Sequence, residues 1–196
     1  MKLILASGSA ARQRMLRNAG LDFAVHPADI DERAAEAPLA EAGAAPEDLA
    51  ALLAAVKAGD VSARFPEDLV IGSDQVLDLD GEHFSKPEDM EAARRQLLAL
   101  SGRTHQLHSA VAVTIGEEIV WQHVATASLT MRDLPPAFVG HYLSAAGPEI
   151  LGSVGAYHVE GRGIQLFDRI EGDFFTIQGL PLLPLLQFLR AYGVLS

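Results

Sequence analysis

The stretch LILASGSAARQRML, residues 3–16, predicts a buried strand that runs directly into a helix. Residues 3–5 form a short apolar run, and Gly8 and Ser9 interrupt it before a helical pattern starts at Ala10. Ser9 suits the N-cap position because its hydroxyl can accept a hydrogen bond from the first turn. Arg12 does not fit this picture, because the first turn of a helix carries partial positive charge and prefers acidic residues. The stretch therefore places a cation where a helix alone does not favour one.

Two interpretations of Arg12 are open from the local sequence. It can be a surface arginine whose aliphatic stem covers apolar area. Alternatively, Ser7, Gly8 and Ser9 lie between a strand and a helix N-terminus, where backbone N–H groups favour an anion. A guanidinium group would then add a bidentate fork for phosphate. The loop is not a Walker A motif, because no Gly-Lys-Ser/Thr follows it.

Composition restricts the class of protein. The chain has 196 residues, 49% of them hydrophobic, which predicts a folded domain with a sizeable core. It has no cysteine, no apolar stretch near the ~20 residues of a membrane span, and an N-terminal apolar run too short for a signal peptide. The net charge is −11, yet residues 1–20 carry four cations and no acid, which leaves −15 elsewhere. We therefore expect a cytoplasmic protein that binds neither nucleic acid nor membranes but accepts a small anionic ligand.

Patterns along the chain predict strands and helices in a mixed order. Helices are expected at 46–64, 86–102, 135–145 and 182–192, and strands at 68–74, 76–84 (a hairpin), 105–115, 118–130, 164–170 and 174–177. Residues 33–48, rich in Ala, Pro and Glu, are expected to form a loop. We therefore predict one α/β domain over residues 1–196, with a mixed sheet rather than a purely parallel one.

Four further residues are candidates for chemistry, each with an ordinary alternative. Asp74 ends a predicted strand, a common place for a catalytic carboxylate, although a turn aspartate capping its own backbone is the simpler interpretation. Lys86 stands just ahead of a predicted helix, and Lys57 lies within one; both can be solvated lysines. Glu32 is expected in a loop. A metal site at His105 and His108 is excluded, because residues three apart on a strand face opposite sides.

Several segments together resemble the Maf family. LASGSAARQRML (5–16) is similar to its N-terminal signature Leu-Ala-Ser-x-Ser-Pro-Arg-Arg-x-x-Leu-Leu. The segment from Val70 to Val111 is similar to its central block, with GSDQ, SKP and SGRTH in order. VGAYHVEGRG (154–163) and IEGDFFTIQGLPL (170–182) resemble its last two blocks. The matches cover nearly the whole chain.

The resemblance implies an activity and an architecture. Maf proteins are cytoplasmic nucleoside triphosphate pyrophosphatases that need a divalent metal, Mg or Mn, and dimers are common among them. Their fold is an elongated mixed sheet flanked by helices, with a cleft between two lobes. The resemblance therefore implies a homodimeric hydrolase whose partner is a small nucleoside triphosphate. Two alternatives are also implied, namely a dTTP/UTP pyrophosphatase and a non-catalytic nucleotide-binding regulator of cell division or septum formation.

The resemblance also assigns roles to residues. The triphosphate site falls on Ser7, Ser9 and Arg12, and the lobe glutamate on Glu32. Asp74 corresponds to the aspartate that binds the metal or activates water, and Lys57 and Lys86 to the catalytic lysines. The Pro-Arg pair of the signature is Ala10-Ala11 here, so one arginine is missing, and Arg14 or Arg17 are the available replacements.

Two positions, Gln75 and Glu160, resemble the branch of the family that hydrolyses 7-methyl-GTP, and the resemblance places both among the substrate-binding residues. Members acting on dTTP and UTP carry Asp-Thr and a Gln, where this chain has Asp74-Gln75 and Glu160. A carboxylate only accepts hydrogen bonds, and guanine offers two adjacent donors, whereas thymine and uracil offer one between acceptors. The alternative for Glu160 is an exposed loop residue. That branch tends to have an aromatic at Ala11, so we consider Trp121, Phe84 or Tyr157 for stacking on the base.

Overall fold

The opening stretch folds as its pattern predicts, with a strand at Leu3–Leu5 and a helix from Ala10 to Asn18. The computed structural model describes residues 1–195. The strands are β1 (Leu3–Leu5), β2 (Ala24–Val25), β3 (Leu69–Leu79), β4 (Glu82–Phe84), β5 (Thr104–Ile115), β6 (Glu118–Met131) and β7 (Phe167–Glu171). The helices are α1 (Ala10–Asn18), α2 (Glu32–Glu41), α3 (Pro46–Arg64), α4 (Met90–Leu100), α5 (Pro136–Ala146), α6 (Phe174–Ile177) and α7 (Leu182–Ala191). Short 3₁₀ helices span Pro148–Gly152 and Arg162–Leu166.

The sheet is mixed, as the sequence predicts. Within residues 1–195 its order is β2-β1-β3-β5-β6-β7, and β4 pairs with β3 outside this path. Strand β1 runs parallel to both β2 and β3. The pairs β3–β4 and β6–β7 are antiparallel. The α/β class with helices flanking a mixed sheet is therefore confirmed.

The chain forms two compact units. Unit 1 contains Met1–Gln75, His108–Ala125 and the chain from Asp173, and unit 2 contains Val76–Leu107 and Thr126–Gly172. The apolar core of unit 1 includes residues from β1, α1, β3, β5 and α7, among them Leu5, Leu16, Ile71, Val113 and Leu185. In unit 2, buried side chains include Leu77, Leu97, Leu100, Leu129 and Met131, and α4 packs against α5. That residues 1–196 form a single domain stays a prediction.

Two predicted segments differ from the structure because an aspartate caps a helix at each of them. Residues 33–48 were expected to be a loop, but α2 covers Glu32–Glu41 in spite of Pro38. Asp31 starts this helix by accepting a hydrogen bond from the backbone N–H of Ala34 at 3.0 Å. Residues 174–177 were expected to be a strand but form α6, because the Asp173 carboxylate caps the N–H of Thr176 at 2.9 Å. Side-chain capping outweighs local propensity in both cases.

Two other boundaries move by a few residues. The helix expected at 86–102 begins only at Met90, because Asp89, rather than a residue near Pro87, is its N-cap. The strand expected at 164–170 starts at Phe167, after a 3₁₀ helix. None of the helices formed by residues 1–195 is both long and apolar enough to cross a membrane.

Candidate active site

Arg12 donates a hydrogen bond to strand β3 just beyond the point where the neighbouring strand β1 ends. The last backbone hydrogen bond along the β1–β3 pair runs from Ala6 N to Ile71 O, at 2.8 Å. The next carbonyl that β3 directs to this side belongs to Ser73, beyond the end of β1. Arg12 Nη1 donates to this carbonyl at 2.7 Å. The guanidinium therefore satisfies a buried backbone acceptor that the shorter strand leaves open.

Two further hydrogen bonds fix Arg12. Its Nε donates to the carbonyl of Gly179 at 2.8 Å, and its Nη1 also donates to Ser7 Oγ at 3.2 Å. Arg12 is only 9% exposed, so the interpretation as a surface residue is wrong. Burial lowers the pKa of the Arg12 guanidinium, and the negative charges of Asp74 and Glu32 oppose that shift. Among residues 1–195, none accepts a hydrogen bond from Nη2, which leaves this amino group for a ligand.

The loop before α1 provides further donors next to Arg12. Ser9 is the N-cap, as predicted, and its hydroxyl accepts from the backbone N–H of Arg12 at 3.4 Å. Ser7 Oγ accepts from the N–H of Ser9 at 3.3 Å, which closes the turn. The N–H groups of Ala10 and Ala11 belong to the first helical turn, where no intrahelical acceptor exists for them. This end of α1 can therefore receive an anion.

A glycine brings α3 onto β3. A Cβ atom built at Gly72 would lie 2.1 Å from the carbonyl oxygen of Ala54 and 2.6 Å from the backbone nitrogen of Ala58. The helix therefore packs directly on the backbone of the strand. Asp74 lies two residues after Gly72 and shares its face of β3, since alternate residues of a strand point the same way. This close approach sets Lys57 of α3 beside Asp74.

Lys57 bridges two carboxylates. Its Nζ lies 2.5 Å from Asp74 Oδ1 and 2.9 Å from Glu32 Oε1. The side chains of Lys57 and Asp74 are each 11% exposed, whereas that of Glu32 is 53% exposed. Lys57 is thus not a solvated lysine, and Asp74 lies inside the 11-residue strand β3 rather than in a turn. Glu32 is the first residue of α2 rather than a loop residue.

Gln75 faces the opposite side of β3 from Asp74, and its amide nitrogen is fully engaged within the protein. Nε2 contacts Ser109 Oγ at 2.9 Å and the carbonyls of Thr176 and Ile177 at 3.1 Å each. These three acceptors exceed the two protons that the amide can donate. Only Oε1 of Gln75 therefore remains for a ligand.

Lys86 and Glu160 belong to unit 2, whereas the residues above belong to unit 1. Lys86 is exposed in the segment between β4 and α4, four residues before the first residue of α4, so it does not lie at a helix N-terminus. Glu160 is exposed in a turn before the second 3₁₀ helix. Their roles stay predictions.

The aromatic and basic side chains considered as replacements are mostly committed elsewhere. Trp121 stacks on Phe188 at 5.0 Å between ring centroids. Tyr157 is 4% exposed, and its hydroxyl contacts His105 Nε2 at 2.7 Å, so it is a core residue of unit 2. Phe84 is partly buried in β4. Arg17 donates to Gln13 and lies over the ring of Phe23, and Arg14 is exposed.

The two carboxylates suit a divalent cation that is shared with phosphate. In the part of the chain that the structure describes, no group of three or more His, Asp or Glu residues could hold a metal ion. Asp74 and Glu32 each use one oxygen on Lys57 and keep the other, Oδ2 and Oε2 respectively. Mg²⁺ is usually held by one or two carboxylates together with substrate phosphates and water. The donor set therefore fits such an ion.

Comparison with known proteins identifies the family. The model of the family described as "Maf-like protein" matches residues 2–192. The chain belongs to the Maf family. It is 58% identical over 195 residues to a protein of Mesorhizobium japonicum named 7-methyl-GTP pyrophosphatase, covering 100% of this chain and 98% of the relative. A relative from Brucella abortus with the same name is also 58% identical, over 97% of this chain and 96% of the relative.

A third Maf relative carries a broader name. The "Nucleoside triphosphate pyrophosphatase" of Granulibacter bethesdensis is 48% identical over the full length of both chains. The resemblance inferred from the sequence motifs is thus confirmed. Three residues that shape this Maf site were missed from the sequence, namely Gly72, Ser73 and Gly179. Ser73 lies in the SDQ motif and Gly179 in the QGL motif. Their contact joins residues 106 positions apart, so neither motif predicts it by itself.

Proposed function

We propose that this Maf protein hydrolyses the α–β phosphoanhydride bond of 7-methyl-GTP, releasing 7-methyl-GMP and pyrophosphate. The observation that carries the proposal is the identity of 58% to full-length relatives named 7-methyl-GTP pyrophosphatase. The cluster of Arg12, Lys57, Asp74 and Glu32 supports the same reaction. A cluster that combines phosphate donors with a carboxylate suits turnover better than simple nucleotide binding.

The charges in this cluster support a need for a divalent cation, Mg or Mn. Arg12 and Lys57 contribute two positive charges, and Asp74 and Glu32 contribute two negative charges. The cluster is therefore neutral, whereas a nucleoside triphosphate carries several negative charges. Glu32 Oε2, together with phosphate oxygens and water, would hold the cation, which when bound offsets charge on the triphosphate and on the departing pyrophosphate.

Phosphate binding, water activation and stabilisation of the leaving group are assigned to side chains of the protein. The loop Ser7–Ser9 and Arg12 Nη2 bind phosphate oxygens. Asp74 Oδ2 orients the attacking water and takes its proton as the water oxygen bonds to the α-phosphorus and the bond to pyrophosphate breaks. General-base assistance of this kind contributes about 10²–10⁴ in rate. Lys57 Nζ keeps one of its three protons for a phosphate oxygen, and Lys86 adds a second cation for the leaving group.

The base is recognised by Glu160 in this proposal. Its carboxylate accepts hydrogen bonds from N1–H and the 2-amino group of guanine, and its charge suits the cationic 7-methylated ring. Thymine and uracil place acceptors beside their single donor and so repel a carboxylate. The protein is further proposed to act in the cytoplasm as a homodimer, with no nucleic acid or membrane as partner.

The first experiment measures pyrophosphate release from 7-methyl-GTP, GTP, dTTP, UTP and CTP with Mg²⁺ or Mn²⁺. We expect a clear preference for 7-methyl-GTP. Glu160→Gln should reduce that preference, whereas the control Glu117→Gln, an exposed turn residue, should not change it. A preference for dTTP or UTP would keep the reaction and contradict the argument from Glu160.

A second experiment separates an enzyme from a binding regulator. Asp74→Asn should lower kcat about 10²-fold or more while nucleotide still binds. Asp168→Asn is the matched control, because Asp168 is exposed on β7. Release of no pyrophosphate from any triphosphate by the unaltered protein would favour the regulatory role.

A further inference from the structure

The carbonyl of Gly179 joins two residues that are distant in sequence. It accepts from Arg12 Nε at 2.8 Å and from Ser73 Oγ at 3.0 Å. Ser73 is fully buried, and its single hydroxyl proton is shared between the carbonyl of Gly179 and that of Ala110 on β5, which lies 2.8 Å from Ser73 Oγ. The backbone carbonyl of Ser73 is itself an acceptor for Arg12 Nη1. Ser73 thus meets both ends of the arginine fork, once directly and once through Gly179.

Gln75 holds the segment that presents this carbonyl. Its Nε2 lies 3.1 Å from the carbonyls of Thr176 and Ile177, and Ser109 Oγ donates to Thr176 O at 2.8 Å. The turn of α6 is in turn capped by Asp173. Ser73 and Gln75 are two residues apart on β3 and act on the same segment.

Gly179 leaves space that no other residue would leave. Its φ is +96°, a conformation that favours glycine. A Cβ atom at this position would lie 3.3 Å from Arg12 Nη2, 3.5 Å from Nε and 3.7 Å from Gln75 Oε1. It would therefore press on the amino group that is left for a ligand.

We infer that Ser73, Gln75 and Gly179, here named the Gly179 clamp, are positioning residues that aim Arg12 Nη2 at the phosphate chain of the substrate. Gln75 then acts on the phosphate site through the backbone of the 176–179 segment and not by reading the base. The inference rests on the proposed function, because it assigns the clamp to the same triphosphate site. It specifies which edge of the guanidinium the substrate meets: Nη2 alone.

The test uses inorganic tripolyphosphate, which has phosphates but no base. Its Kd is measured by calorimetry for the full chain with Mg²⁺, and KM and kcat are measured with 7-methyl-GTP. Gly179→Ala should weaken tripolyphosphate binding about 10-fold or more, because the arginine fork shifts. Gly193→Ala is the matched control, since Gly193 has φ +82° but no atom within 4 Å of an added Cβ. It imposes a similar backbone strain away from Arg12 and should leave Kd unchanged.

Ser73→Ala and Gln75→Ala test the other two members of the clamp. Ser73→Ala removes the hydroxyl proton that Gly179 shares with Ala110, and Gln75→Ala removes the amide that holds the 176–177 backbone. Each should weaken tripolyphosphate binding about 3- to 10-fold, the size of effect expected from about one hydrogen bond. Gln75→Ala should weaken tripolyphosphate and 7-methyl-GTP by the same factor. An effect on the nucleotide alone would overturn the inference, because Gln75 would then read the base.

An Arg12→Lys background provides the decisive comparison. Lysine lacks the fork that the clamp holds, so Gly179→Ala should change Kd less than 2-fold in this background. An equal loss in both backgrounds, or an equal loss in Gly179→Ala and Gly193→Ala, would show a general structural effect and overturn the inference. Absence of 7-methyl-GTP hydrolysis by the unaltered protein would reject the proposed function, whereas hydrolysis with no effect of Gly179→Ala on tripolyphosphate binding would reject the clamp alone.

Discussion

Arg12 combines a structural and a binding role in one side chain. Three of its protons are donated to Ser7, Ser73 and Gly179, so the guanidinium is part of the buried framework. The cost of placing a cation at the start of α1 is offset by these contacts with fixed acceptors and by the nearby carboxylates. Among residues 1–195, Nη2 is the amino group of Arg12 that has no acceptor, and these contacts hold it in a set direction.

Arg12→Lys is expected to lower both stability and phosphate binding. A lysine ammonium is compact and cannot reach all three acceptors, so buried carbonyls lose their partners, at about 1–3 kcal/mol. Urea denaturation gives the stability change, and KM for 7-methyl-GTP gives the binding change. Arg17→Lys serves as the control, because Arg17 is exposed on the same helix. Equal stability of the Arg12→Lys variant and the unaltered protein would contradict this view of Arg12.

Removal of the Lys57 charge should be more harmful than removal of the pair. Lys57→Met removes the direct partner of the buried Asp74, and breaking a buried pair from one side costs about 3–5 kcal/mol. We expect about 3 kcal/mol here, because Glu32 is half exposed and can turn to water. The double variant Lys57→Met/Asp74→Asn should recover part of this loss in chemical denaturation. A double variant that is less stable than Lys57→Met would disprove the coupling.

The site residues that belong to local sequence patterns could be predicted, whereas the tertiary contacts that position them could not. Arg12, Ser9 and Asp74 each follow from a local pattern, namely a strand end, an N-cap or a misplaced charge. The pairing of Lys57 with Asp74 and Glu32 joins three separate segments, so local patterns could not reveal it. Gln75 was expected to contact substrate, but its amide protons are directed at the 176–177 backbone, which only the tertiary structure shows.

Helix α3 and strand β3 form the structural element that creates the site. The helix lies directly on the backbone of Gly72, and this contact sets how far Lys57 extends toward Asp74. In the sequence Gly72 is marked only as part of the GSDQ motif, because a close approach between helix and strand leaves no local signal. By contrast, the periodicity of 46–64 predicted the exact span of α3.

Gly72→Ala is expected to destabilise the protein and to separate Lys57 from Asp74. A Cβ at 2.1 Å from the Ala54 carbonyl forces helix and strand apart, and such overpacking costs about 1–3 kcal/mol or more. The measurements are the free energy of unfolding and kcat. Gly59→Ala, within α3 and with no atom within 4 Å of an added Cβ, should instead stabilise the helix by about 0.5–1 kcal/mol. Changes of the same sign in both variants would refute the packing argument.

At the scale of the whole molecule, stability should depend on pH through a buried histidine. His105 is 1% exposed in unit 2, and burial lowers its pKa from 6.5 to about 4. The unfolded chain therefore takes up a proton first as the pH falls. Stability is unaffected by this group above about pH 6.5 and is lost progressively between pH 6.5 and pH 4.

The expected loss is about 3 kcal/mol over that range, from the size of the pKa difference. The measurement is urea denaturation of the unaltered protein and of His105→Gln, each at pH 7.5 and 4.5. Because the carboxylates are present in both proteins, the difference between the two losses of unfolding free energy is the contribution of His105. The unaltered protein should lose about 2–3 kcal/mol more than the variant. Identical losses would show that His105 is protonated without cost in the folded state.

The order of motifs along the chain predicted the family and the class of fold, because the quoted blocks cover most of the sequence. Net charge and composition were less informative at this scale. The four cations of residues 1–20 suggested a positive site, but Arg14 and Arg17 lie exposed, and the cluster around Arg12 is balanced by acids. The predictions for two segments were wrong where a single capping aspartate starts a helix, namely at Asp31 and Asp173.

The contact between Arg12 and Gly179 spans 167 positions and has a consequence for synthesis of the protein. A chain that grows from its N-terminus contains the serine loop, Arg12, Lys57 and Asp74 long before the ribosome reaches Gly179. Until then, the arginine fork lacks one of its acceptors and cannot be locked in place. The nascent chain therefore lacks a finished phosphate site until Gly179 has been synthesised and can reach Arg12.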